Sequence, residues 1–160
     1  MSKHYPITSY DKHLSLKVNG VMWLIFLFLL RAYVIGLMSV VNMQSRTQLI
    51  DMVFSSRLSM SLSALSGIPV FLLIYAWTRR SPGAPAFVKW VWEKGAVLVA
   101  ISAIANAGVA FFPLWLGTAR KISILDYGQL FLCAVIVMAV YSSQYIKDCF
   151  ADFPDDARKS

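Results

Sequence analysis

The chain has 160 residues, of which 58% are hydrophobic and 14% charged, and it carries a formal net charge of +7. A chain this short cannot hide so much apolar surface in a water-soluble core, which excludes an ordinary soluble domain. The cations sit mainly in loops beside apolar runs, where topology and lipid headgroups account for them, so no nucleic-acid partner is expected.

In chain order, a polar tail over residues 1–20 holds both histidines, His4 and His13. Val21–Met43 is the first apolar run. It is too long for a signal-peptide core and no small-residue cleavage site follows it, so it reads as a retained helix. Within it lies Arg31, a cation that cannot escape burial by losing its proton. Leu58–Trp77 is the second run, in which Ser59, Ser63 and Ser66 share one helical face. Gly95–Leu116 is the third, with Ala100, Ala103, Ala107 and Ala110 on one face. Small residues let membrane helices approach closely, so both faces read as packing seams. The fourth run is Leu125–Ile146. Each run is long enough to cross the hydrocarbon core as a helix. The expected fold is therefore all-α, an integral membrane bundle of four transmembrane helices over 21–146, with tails at 1–20 and 147–160.

Between the second and third runs, "TRRSPGAPAFVKWVWEKG" is broken by Pro82, Gly83 and Pro85 and turns helical from Ala86. It reads as a basic, aromatic interfacial anchor, with anionic lipid at its face or a partner as the other reading. Asp148, Asp152, Asp155 and Asp156 in the last tail read as a solvated face, or else as a docking site for a partner.

Charge sets the expected orientation. Ten Lys and Arg fall in the two tails and the second loop, against four in the first and third loops. The positive-inside rule then puts both termini in the cytoplasm and requires an even number of spans. Trp23, Trp77, Trp90 and Trp92 fall at the predicted cytoplasmic boundary and Trp115 at the outer one, as amphipathic rings prefer.

The residues that chemistry would need are missing. The two histidines lack ligand spacing, and there is no glycine-rich phosphate loop. No Ser–His–carboxylate set can form within the spans, because no histidine lies there. No catalytic, cofactor-binding or metal residue is expected, and the chain reads as non-enzymatic. Cys133 and Cys149, 16 residues apart, would lie roughly 24 Å apart on one helix, too far for a bridge. Asp126, at the outer end of the fourth run, reads as a helix N-terminal carboxylate favoured by the dipole.

Depth along the runs nominates partners for Arg31. Asn106 lies at a similar depth in the third run, and its amide oxygen can accept from a guanidinium. Side chains lean toward a helix N-terminus, which points Arg31 toward Tyr141 and away from Asp126. Three roles stay open: snorkelling to headgroups, a buried polar bond that fixes packing, or the cation of a solute pathway.

Three local patterns, "YDKHLSLKVNGVMWLIFLFLLRAY", "LSGIPVFLLIYAWTRR" and "YIKDCFADFP", together resemble the domain-of-unknown-function 2919 family of small bacterial inner-membrane proteins. The residues that carry the likeness are Tyr10, Asp11, Leu16, Lys17, Trp23, Arg31, Gly67, Pro69, Asp148, Phe150, Asp152, Phe153 and Pro154. The resemblance implies a multi-pass inner-membrane protein and brings no established activity. The expected function is a structural or accessory one, through helix faces or cytoplasmic tails. The expected partners are the bilayer, a membrane protein or further copies of the chain. The alternative is a small oligomeric transporter or channel subunit for an anionic or amphiphilic solute that uses Arg31.

Overall fold

Backbone groups along an apolar run bond most completely as helix, and the computed structural model is built of little else. It describes residues 15–41, 54, 57–81, 83–117 and 124–154, which contain eight helices and no strand. These are α1 (Gly20–Leu29), α2 (Arg31–Val41), α3 (Arg57–Ser66), α4 (Ile68–Thr78), α5 (Ala86–Glu93), α6 (Gly95–Trp115), α7 (Ile124–Ser142) and α8 (Gln144–Ala151). Three stretches are long and apolar enough to cross a membrane: Leu58–Thr78, Gly95–Phe112 and Ile124–Ser142. The α1–α2 pair makes a fourth if it counts as one span.

That first span departs from expectation. The run starting at Val21 is not one straight helix but two, bent by 67° about Leu30. No proline or glycine marks the bend. Leu30 sits at φ −90°, ψ 8°, in the sparsely populated bridge region. The second span has a break of its own at Gly67, where Pro69 opens α4.

The two broken spans run antiparallel along their full length. Trp23 and Trp77 meet edge to face at 5.0 Å. Further along, Leu30 and Tyr33 close on Gly67, the Tyr33 hydroxyl reaches the Ala64 carbonyl, and Met60 lies against Gly36. Each step along α1–α2 is matched by a step backward along α4–α3. The bent pair therefore passes from one end of the bundle toward the other and does not turn back at the bend.

Buried Leu29, Val70, Leu73, Val99, Ile136 and Val140 fill the centre. The serine seam is buried at Ser59, Ser63 and Ser66; on α6 Ala100 and Ala103 are buried and Ala107 and Ala110 half-buried, so the alanine face lies in the packed interior over its first half. The fourth run is shorter than its apolar pattern: α7 ends at Ser142, and Ser143 breaks the chain before α8. The Ser143 hydroxyl caps α8 by accepting from the Ile146 amide. Residues 144–151 are thus a separate helix with Ile146, Cys149 and Phe150 buried. Cys133 and Cys149 are both buried and free.

Candidate functional site

Two polar clusters stand out, one in the middle of the bundle and one at the end where both tails enter. The first follows from the break at Gly67. There the Gly67 amide bonds the Ala64 carbonyl and the Val70 amide bonds the Gly67 carbonyl, each one residue short of the α-helical pattern. The Ser63 and Ser66 carbonyls lose their helical donors and need others. Side chains supply them. The Ser66 hydroxyl donates to the Ser63 carbonyl at 2.8 Å, and the Ser102 hydroxyl of α6 donates to the Ser66 carbonyl. The Tyr33 hydroxyl of α2 donates to the Ala64 carbonyl at 2.7 Å.

Arg31 joins this set through Asn106, which is fully buried. Asn106 Oδ1 accepts from Arg31 Nη2 at 3.2 Å and from Gln129 Nε2 at 3.0 Å. Asn106 Nδ2 donates to Ser66 Oγ at 2.9 Å. Gln129 Nε2 also donates to the Asn106 carbonyl. One amide side chain therefore links α2, α3, α6 and α7. The Arg31 guanidinium lies over the Phe28 and Phe54 rings, at 5.0 and 5.7 Å from their centroids, within cation–π range. A small cavity of about 10 Å³ adjoins it, lined by Arg31, Phe54, Ser59, Asp126 and Gln129 among others. That is room for about one water.

Of the residues nominated for this site, Arg31 and Asn106 come together and Tyr141 does not. Tyr141 is 49% exposed. Gln129 fixes the register of α7 against Asn106, and Tyr141 lies twelve residues farther on, roughly 18 Å along the axis. Asp126, set aside as lying on the far side, lines the same cavity as Arg31 and stands in the first turn of α7. Both corrections have one cause: the register of α7 sets Gln129 at the level of Asn106 and Arg31, which brings Asp126, three residues away, to the site and leaves Tyr141, twelve residues away, far from it.

The second cluster gathers the motif residues Leu16, Lys17, Phe150 and Asp152. Arg80 Nη1 donates to the Leu16 carbonyl at 2.8 Å, Arg80 Nη2 donates to the Asp152 carbonyl, and the guanidinium stacks on Trp92 at 4.8 Å. The Leu16 amide donates to Asp152 Oδ2 at 2.9 Å. The Tyr145 hydroxyl donates to the Lys17 carbonyl at 2.9 Å, and Trp92 Nε1 to the Cys149 carbonyl at 3.0 Å. Phe150 packs on Trp92, and Phe153 lies against the core with Pro154 buried nearby in sequence. Burial pushes the Cys149 thiol up to about 11, and the neighbouring Arg80 cation offsets this only in part.

This clasp ties the N-terminal segment, the turn after α4, α5 and α8 into one unit. Asp152 is thus a structural acceptor and not part of a solvated face, and Trp92 is core rather than an interfacial ring. Gly67 and Pro69 belong to the break of the second span. Tyr10 and Asp11 lie outside the described residues.

The fold and its two clusters define a class: an all-α bundle whose helices break in the interior and whose freed backbone groups are taken up by side chains. The family model described as protein of unknown function (DUF2919) matches residues 5–152. The chain belongs to that family, as its terminal and second-span motifs suggested. No curated protein and no solved structure matches it at a significant level.

Proposed function

We propose that this chain is a non-enzymatic, multi-pass protein of the bacterial inner membrane, a structural or accessory component that acts through its helix faces and cytoplasmic tails. The observation that carries the reading is the state of Arg31. Its guanidinium is bonded to a buried amide and covered by two rings, beside a cavity with room for about one water. A cation held this way fixes helix packing. The orientation rests on charge: the N-terminal segment and α8 meet at one end of the bundle, with Arg79, Arg80, Lys89 and Lys94 in the connection at that end.

Purification in a mild detergent, with identification of what co-purifies, tests this. A stoichiometric membrane-protein partner or a defined homo-oligomer is expected. A monodisperse monomer that retains a small anionic solute, lost in Arg31→Leu, would overturn it.

A second reading, a small oligomeric transporter or channel subunit for an anionic or amphiphilic solute, has one observation in its favour. The breaks at Leu30 and Gly67 face each other beside the half-buried cation of Arg31, and transporters build midplane sites from discontinuous helices. Under that reading Arg31→Leu leaves stability intact and abolishes the cellular phenotype, while Arg31→Lys keeps part of it. A wild-type phenotype for Arg31→Leu sinks it.

A further inference from the structure

Arg79 and Arg80 are neighbours in sequence with opposite fates. Arg80 turns inward, donates to two carbonyls of the clasp and stacks on Trp92. Arg79 stays exposed at the end of α4. The turn that follows leads into α5, which packs against α4. Along α5, Val88, Val91 and Trp92 are buried and anchor the helix to the core. On the other side Phe87 and Trp90, three residues apart, are 54% and 55% exposed. Lys94, four residues past Trp90, is exposed on the same side, and Lys89 and Glu93 are exposed on the adjoining flank.

This outer face has two features that folding does not require. It displays two large rings on a helix already secured by Trp92. It also sets three exposed cations, Arg79, Lys89 and Lys94, against the single carboxylate of Glu93. The adjoining end of α4 also shows exposed Tyr75 and Trp77, on a helix apolar enough to lie in lipid. Basic residues interleaved with aromatic ones at the end of such a helix match an anionic headgroup above an acyl boundary. A soluble acidic partner would account for the cations but would leave exposed Phe87 and Trp90, beside a helix apolar enough to lie in lipid, without a role.

We propose that the outer face of α5, with Arg79, forms a binding site for an anionic phospholipid. Arg79 and Lys89 take the headgroup phosphate, and the Phe87 and Trp90 rings lie against the upper acyl chain. Lys94 adds charge at the edge of the site. Arg80 takes no part, because the clasp holds it. The inference rests on the membrane reading above.

The test titrates dioctanoyl-phosphatidylglycerol, dioctanoyl-phosphatidylcholine and inorganic phosphate separately into the full chain in an uncharged detergent, following native mass spectra and tryptophan fluorescence. The anionic lipid should bind, the zwitterionic lipid much more weakly, and inorganic phosphate should not compete. Each surface cation near an anionic headgroup is worth about fivefold, so Arg79→Gln with Lys89→Gln should weaken binding roughly twenty-fivefold. Both side chains are exposed, so the double variant should keep the wild-type circular dichroism and unfolding midpoint without lipid. Trp90→Ala should weaken binding of the dioctanoyl lipid while leaving the preference for phosphatidylglycerol intact. Equal binding of the two lipids, competition by phosphate at the lipid's concentration, or an unaltered double variant would overturn the site. Those results would leave the membrane reading standing. Recovery of the wild-type chain in the soluble fraction without detergent would overturn both.

Discussion

Arg31 is held by a partner that is itself shared, and this makes the two ends of the bond unequal. Arg31→Leu removes one bond from Asn106, which keeps Gln129 and Ser66. The loss should be about 0.6 kcal/mol, typical of an intramembrane hydrogen bond, and at most about 2. Asn106→Leu takes the acceptor from a half-buried guanidinium, one of two acceptors from the Gln129 amide and a donor from Ser66, and should cost more, about 2–3 kcal/mol. Unfolding of the two single variants and the double in detergent checks this. The double should cost less than the sum of the singles, and strict additivity would remove the bond from the account. Gln129 was the legible residue here that sequence reading passed over: an amide within an apolar run needs partners as much as a charge does. At the tail end, Cys149 offers a pH test. Its thiol ordinarily titrates near 9.0 and in the fold near 11. Between those values the unfolded chain has released a proton that the folded chain keeps, so this group's contribution lowers stability as pH rises through the window. Below it the contribution is flat. Cys149→Ala should therefore unfold with a shallower loss of stability between about pH 9 and 11 than the wild type does. Parallel curves would contradict the burial of the thiol.

The broken helices are where sequence and structure part. The length and apolarity of the four runs declared helices, and Gly67 with Pro69 declared a possible break in the second. The bend at Leu30 carries no such signal, because it sits among good helix formers and comes from tertiary bonding: Tyr33 and Arg31, on the far side of the bend, reach the carbonyl and amide groups of α3 and α6. Serine periodicity correctly marked a buried face, but burial was only part of its use, since Ser66 and Ser102 replace helical donors. Ser102→Ala leaves the Ser66 carbonyl without that donor. It should cost about 1 kcal/mol by thermal unfolding, where a Ser that merely filled space would tolerate Ala. The α5–α6 junction gives a sharper test. A Cβ on Gly95 would clash with the Phe150 ring. Gly95→Ala must displace that ring and loosen α8 from the bundle. Cys149 should then react with a maleimide much faster than in the wild type, and an unchanged rate would mean that α8 is not held there.

At the scale of the whole molecule, the first and last described segments are bonded together, so both ends of the described path lie at one end of the bundle. That requires an even number of traverses, and the antiparallel march of α1–α2 along α4–α3 makes the bent pair one of them. The charge pattern reaches the same parity independently, with ten cations in the tails and second loop against four in the other loops. What the charges could not convey is that the described parts of the tails, from Ser15 and up to Pro154, are built into the fold: Asp152 and Leu16, near opposite ends of the sequence, pair only once the bundle has brought them together. The most direct test is cysteine accessibility in intact cells, with Cys133 and Cys149 replaced by Ser and single cysteines placed at Ser2, Gln48, Ser81 and Ser160. A membrane-impermeant maleimide should label the Gln48 site and spare the other three until the cells are opened. Labelling of Ser2 or Ser160 alone from outside would put the two ends on opposite faces, make α1–α2 a re-entrant loop, and contradict the four-crossing bundle.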